Sequence, residues 1–175
     1  MQVYIIRHTS VDVAPGTCYG QTDVPLKETF PQEAAVVADK LKGITFDEVF
    51  VSPLTRCVRL ATYCGYPDAI REKRIIETDF GEWEMKRFDQ MTDPRVQLWY
   101  NDYINTRATG GESYADQYIR VSKFLDELRT KDYKRVALFC HGGVLMCTKV
   151  YFKACTIEEA FGNLPSYGEI FVGEF

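Results

Sequence analysis

The segment Val3-Tyr4-Ile5-Ile6-Arg7-His8-Thr9 decides the fold. Four β-branched or aromatic residues in a row suit a buried strand better than a helix. An ionisable pair directly after such a run falls at the strand's carboxyl end, which in an open α/β sheet is the crevice where ligands bind. The pattern returns late in the chain as Val136-Ala137-Leu138-Phe139-Cys140, followed by His141-Gly142-Gly143. His8 and His141 are the only two histidines. Either one alone reads as a strand-end residue bound to a neighbouring carbonyl. Two of two in this setting, one preceded by arginine and one followed by glycines, point to a shared site.

Working outward, 175 residues with 46% hydrophobic content suit one domain, 1–175, with a proper core. A net charge of −4 argues against a nucleic-acid partner or a membrane-binding face. Met1 to Ile6 has no basic leader, and no apolar run reaches membrane-spanning length. A cytosolic location is therefore expected, with all six cysteines reduced. No Cys-x-x-Cys occurs and the histidines lack finger spacing, so no structural zinc is expected.

Between the two histidine segments, strand and helix signals alternate. Strands are predicted over Glu48–Val51, Ile70–Ile76, 135–140 and Glu169–Phe175. Helices are predicted over Ala34–Leu41 (with Thr29 as its cap), Leu54–Cys64, Tyr114–Arg129 and Val144–Phe152, with a helical turn at Ile157–Phe161. Ser113 and Asp116 have capping-box spacing, and Tyr118, Val121, Phe124, Leu125 and Leu128 should face inward. Phe88–Tyr103 reads as helical in pieces, broken near Asp93-Pro94, and suits a lid. Alternation of this kind predicts a largely parallel sheet between helices, in no readable strand order.

Three further features bear on chemistry. The loop Asp12–Pro25 is long and carries Tyr19-Gly20-Gln21-Thr22-Asp23 just after the first strand. Arg56 lies in the first turn of its helix, where a cation is mildly unfavourable. It is either a solvated arginine or an anion ligand, beside helix amides that also suit phosphate. Glu77, Asp79 and Glu82 stand beside Phe80 and Trp83, an acidic turn or the source of a general acid. A pocket holding Arg7, Arg56 and two histidines would be strongly cationic, and a phosphate monoester is the ligand that needs one. A neutral imidazole is then a competent nucleophile toward phosphorus. The second histidine, protonated, would bind the transferring group, and a protonated carboxyl would serve the leaving group. Neither metal nor cofactor is called for.

Five stretches together resemble the histidine phosphatase (phosphoglycerate mutase-like) superfamily. They are Arg7-His8-Thr9, Ser52-Pro53-Leu54-Thr55-Arg56, Glu77-x-x-Phe80-Gly81-x-Trp83-Glu84, Gly110-Gly111-Glu112-Ser113 and Cys140-His141-Gly142-Gly143-Val144. The resemblance implies a three-layer α/β/α sandwich with a mostly parallel central sheet. It also implies that His8 is the phosphorylated nucleophile, that Arg7, Arg56 and His141 hold the phosphate, and that Glu77 donates the proton. Thr9, Tyr19, Gly20, Gln21, Thr22 and Gly142 would complete the substrate site.

Three positions depart from the family pattern: Thr9-Ser10 replaces the commoner Gly then Glu or Gln, and Met85 stands where glycine is usual. The short chain and Gly16–Leu26 are most similar to the α-ribazole phosphatase branch, which implies a small-molecule phosphate ester as partner. Tyr19, Phe80, Trp83 and Trp99 are candidates to pack a flat base, with core packing the expectation for Phe80. The chain closes at Glu174-Phe175 without a basic tail, which favours hydrolysis over mutase action. A broad-specificity phosphatase and a non-catalytic phospholigand-binding module are the competing readings.

Overall fold

Burial of the two histidine strands, on both faces for Val136–Cys140, builds the molecule. In the computed structural model, which describes residues 1–175, β1 (Gln2–Arg7) and β4 (Arg135–Cys140) lie side by side and parallel, with Arg7 opposite Cys140. Val3, Ile5, Val136, Leu138 and Cys140 face one core; Ile6, Ala137 and Phe139 face the other. Both faces are thus covered, as an all-apolar strand such as β4 requires.

Helices α1 (Phe30–Leu41) and α2 (Thr55–Tyr63) pack on the second face. The first face receives α4 (Tyr114–Leu128), α5 (Gly142–Tyr151) and α6 (Ile157–Gly162). With β2 (Glu48–Val51), β3 (Ile70–Arg71) and β5 (Ile170–Glu174), the sheet order is β3-β2-β4-β1-β5, and β5 alone is antiparallel. The three-layer α/β/α sandwich is the expected one. No helix is long and apolar enough to cross a membrane.

Some local expectations give way. The strand predicted over Ile70–Ile76 ends at Arg71, because the Glu72 carboxylate accepts the Arg74 N–H and side chain, turning Lys73–Ile75 into a 3₁₀ turn. Thr29 does not cap α1 through its side chain. Its hydroxyl donates to Glu33, and Pro31 in the first turn removes one amide that would need a cap. The Ser113–Asp116 capping box is present. On α4 the inward stripe holds Gln117, fully buried, where an apolar residue was expected, and Tyr118 is only half-buried.

The segment between Phe88 and Tyr103 is a 3₁₀ turn (Phe88–Gln90) followed by α3 (Arg95–Asn101). It is pinned by Asp93, which accepts from the Trp83 indole N–H (2.7 Å), the Thr109 hydroxyl and the Arg95 N–H. Trp83, Cys18, Val96 and Ala108 form its own small core.

Candidate active site

His8 and His141 leave adjacent strand ends and meet with ring centroids 5.2 Å apart. Both are buried. His8 Nδ1 lies 2.7 Å from the Thr9 carbonyl, an acceptor only, so Nδ1 carries the proton and Nε2 keeps a free lone pair. Nε2 of His141 shares a hydrogen bond with Ser52 Oγ at 2.6 Å, and the Cys57 thiol lies 3.5 Å from it. Burial, then the positive charges nearby, hold both imidazoles far below their usual pKa. The empty pocket therefore contains two neutral rings, where the sequence suggested one protonated. The physical reason is first desolvation, which disfavours the charged ring, and then the positive charge already beside it on Arg56 and Arg7.

Arg56 reaches the site from α2 and is wholly buried. Its guanidinium donates to the carbonyls of Gly20 and Thr22 and forms no ion pair. Arg7, half-buried, donates to the Pro165 carbonyl and is likewise unpaired. The Nε atoms of both arginines and the Thr9 hydroxyl are buried without a partner. Three of the five such side-chain atoms in the chain thus belong to this pocket. A buried cation without a counter-ion costs several kcal/mol, on the order of 3–5, unless an anion arrives.

The amino end of α2 is not the anion site that its sequence position suggested. Asp23 occupies it, accepting from the Thr55 N–H at 3.0 Å and from the Thr55 hydroxyl. The amino end of α5 starts at His141, and its Gly143 N–H donates to the Glu77 carboxylate at 3.1 Å.

The carboxylate question has a geometric answer. Glu77 points into the pocket; Asp79 turns back to accept the Gly81 N–H, and Glu82 is exposed. Glu77 accepts from Gln117 Nε2 (2.9 Å), the Thr78 N–H (2.9 Å) and the Gly143 N–H (3.1 Å). Desolvation pushes its pKa up, but these three donors and the Arg56 charge outweigh it, and the carboxyl lies below its usual value. A Cβ at position 143 would press on the Glu77 carboxylate and the Gln117 amide and displace them from this arrangement.

The other expected substrate residues divide. Gly20 and Thr22 present carbonyls to Arg56, and Gln21 donates to the Glu77 carbonyl at 3.1 Å. Gly142 lies against the Arg7 guanidinium. The Tyr19 ring faces Arg56 at 5.7 Å. Of the aromatics, Trp83 is corrected: it is 1% exposed and tied to Asp93, out of reach of any ligand. Phe80 packs against the small Trp83 core, as expected, and also lines a cavity of about 280 Å³ together with Trp99, Tyr103, Tyr114, Met146, Phe161 and Leu164. That cavity adjoins the histidine pocket at Glu77 and Gly143.

Sequence reasoning missed the residues that hold the site together. Glu84 accepts from the N–H groups of Gly20 (3.0 Å), Gln21 (2.9 Å) and Phe80 (3.2 Å) and from the Thr22 hydroxyl (2.7 Å), fixing the loop under Arg56. Arg120 donates to the carbonyls of Arg74, Ile76 and Glu77 while paired with Glu112. Gln117 left a readable signal, a polar residue between Tyr114 and Val121 on a core stripe. Glu84 stood in the family motif without a role attached to it, and Arg120 left no signal, since it looks like an ordinary surface charge.

Residues 3–166 match the histidine phosphatase superfamily, branch 1. The chain belongs to that superfamily. Its enzymes are phosphatases or mutases, and one of those two roles is supported here. A histidine phosphatase relative from Enterobacter sp. strain 638, named probable phosphoglycerate mutase GpmB, is 30% identical over 97% of this chain and 78% of its own length. Phosphoserine phosphatase 1 of Hydrogenobacter thermophilus is 27% identical over 79% of this chain and 69% of its own. Among solved structures, the α-ribazole phosphatase of Shigella flexneri superposes with a TM-score of 0.88 at 23% identity, covering 98% of this chain and 89% of that one. At that identity it speaks for the fold. The α/β/α architecture is that of the superfamily.

Proposed function

We propose that this histidine phosphatase is a metal-independent, cytoplasmic phosphomonoesterase that works through a phosphohistidine on His8. The substrate we assign is α-ribazole 5′-phosphate, hydrolysed to α-ribazole in cobalamin nucleotide-loop assembly. The observation that carries the reading is Arg56: fully buried, charged and without a carboxylate, beside two other unpartnered polar atoms. A phosphoryl group satisfies all of them, bidentately where guanidinium meets oxygen.

The steps follow from the side chains. His8 Nε2 attacks phosphorus as the bond to the substrate alcohol breaks, while Arg7, Arg56 and His141 offset the charge on the transferring group. Glu77 gives its proton to the departing alkoxide, then takes one from the water that cleaves the P–N bond. Because Glu77 is ionised in the empty pocket, the proton arrives with the substrate, whose second ionisation falls at about pH 6.

For the ester, the adjoining cavity supports an uncharged aromatic alcohol. Its walls are largely aromatic and aliphatic and include no lysine or arginine. A phosphoglycerate or phosphoserine carboxylate would meet Glu77 and Glu112 there instead of a cation.

The test is phosphate release in excess EDTA from α-ribazole 5′-phosphate, 3-phosphoglycerate and p-nitrophenyl phosphate. Selective turnover of the ribazole ester, lost by at least about 10⁴-fold in His8→Ala, is expected. Equal turnover of all three would keep the phosphohistidine and discard the ribazole substrate. Full activity in His8→Ala would sink the mechanism. Glu77→Gln should slow the ribazole ester by about 10²–10⁴-fold and remove the decline above about pH 6. The burst with p-nitrophenyl phosphate, whose leaving group needs no proton, should survive that change.

A further inference from the structure

Tyr167 lies on the loop between α6 and β5, outside every motif that defines the site. Its ring centroid is 4.2 Å from the Arg7 guanidinium carbon. The Gly142 backbone also lies against that guanidinium, so close that a Cβ there would press within 3.1–3.4 Å of Nε, Cζ and Nη2. Arg7 is therefore packed against a peptide and an aromatic ring and bonded to the Pro165 carbonyl, with no carboxylate to fix it.

The loop itself is registered on the nucleophile strand. The Gly168 N–H donates to the His8 carbonyl (3.1 Å) and the Arg7 N–H to the Glu169 carbonyl (2.9 Å). Gly168 has φ +67°, which lets the chain turn there and leave Tyr167 facing the site. The Tyr167 ring also lies 5.7 Å from that of His8. Its hydroxyl is 2.8 Å from the Tyr19 hydroxyl, and the Tyr19 ring faces Arg56. Burial, then the bond to Tyr167, raises the Tyr19 pKa well above the ordinary tyrosine value.

We infer that Tyr167 is a positioning residue for phosphoryl binding: its ring presets the Arg7 guanidinium, and its hydroxyl bridge to Tyr19 roofs the pocket. The inference rests on the phosphatase reading and deepens it. A preset arginine loses no rotamer freedom when the phosphoryl group arrives, so the gain lies in binding rather than in the chemical step. Tyr167 is exposed, 41%, so truncating it opens no core cavity.

The experiment pairs calorimetric titration of the free enzyme with inorganic phosphate and steady-state kinetics on p-nitrophenyl phosphate, for wild type, Tyr167→Ala, Tyr167→Leu and Tyr167→Phe. In Tyr167→Ala, phosphate affinity should fall and KM rise by roughly tenfold, with kcat within about threefold of wild type. Tyr167→Phe keeps the ring over Arg7 and should recover most of that loss. Tyr167→Leu fills similar space without a π face and should not. Wild-type phosphate affinity in Tyr167→Ala overturns the inference, as does leucine rescuing as well as phenylalanine. In both cases turnover that still depends on His8 leaves the phosphatase reading standing. A wild-type protein that neither binds phosphate nor turns over ester removes both.

Discussion

The histidine pocket and the cavity beside it share Glu77 and Gly143 but obey opposite rules. The pocket is built from polar atoms that the fold leaves unsatisfied: two guanidiniums without ion pairs, an unpartnered Thr9 hydroxyl and two imidazoles held neutral. The cavity is apolar and content to be empty or filled. One region is arranged to bind charge wherever it finds it, the other to choose what that charge is attached to. On the proposed function, affinity would reside at the strand ends and selectivity in the helices and loops that wall the cavity.

Acid should separate the two regions most sharply. Both histidines have pKa values depressed below 6.5 in the folded chain, so the unfolded chain binds more protons below that pH. Their contribution is complete above about pH 6.5 and is lost as pH falls through the folded values, at up to about 1.4 kcal/mol per pH unit for each histidine. Urea midpoints at successive pH values from 7.5 to 5 should show that fall, and His8→Gln should halve the slope. Millimolar phosphate, which favours charged imidazole, should flatten it. A slope indifferent to phosphate would detach the histidines from any anion site.

Next in size is a contrast between two tryptophans. Trp99→Ala opens the cavity wall and should lower kcat/KM for α-ribazole 5′-phosphate by about 30-fold, equivalent to roughly 2 kcal/mol of apolar contact. A small ester such as methyl phosphate should be nearly unaffected. Trp83→Ala should instead cost about 3–5 kcal/mol of stability and show no such preference, because the residue is sealed in its own small core. Loss of selectivity in the Trp83 variant alone would reverse the assignment.

The smallest effect lies in the turn that borders both regions. Met85 has φ +62° and donates its N–H to the Cys18 carbonyl at 2.7 Å. The turn keeps the shape that glycine adopts without penalty, at a cost of about 1–2 kcal/mol in this chain. Met85→Gly should raise stability by about 0.5–1 kcal/mol in urea, part of the relief being returned as unfolded-state entropy. Kinetics should not change.

The histidine pocket was legible in the sequence because its parts are local: a buried strand, then the charged residue at its end. Arg7-His8 and Cys140-His141 carry that signal within five residues each. Arg56 and Glu77 were readable as candidates, although only the fold separates Glu77 from Asp79 and Glu82. The cavity was not legible, since Phe80, Trp99, Tyr114 and Phe161 come from different elements and each has the composition of ordinary core. Trp83 proved to be core for that reason, and Phe80, expected as core, also reaches the cavity. The Ile70–Ile76 prediction failed because a single carboxylate, Glu72, redirected the backbone where β-propensity alone favoured a strand.

Registered parallel strands have one further consequence. With Arg7 opposite Cys140, the next residues on each strand are the two histidines, and their 5.2 Å ring separation is close to the interstrand repeat of about 4.8 Å. The separation of the two imidazoles thus follows from the register of the sheet, while the loops place the groups around them. Residues 12–25 and 163–168 carry the contacts to Arg56, Arg7 and the His8 carbonyl, so a laboratory graft meant to redirect selectivity without retuning the reactive pair would have to be confined to the cavity wall around Trp99 and Tyr103.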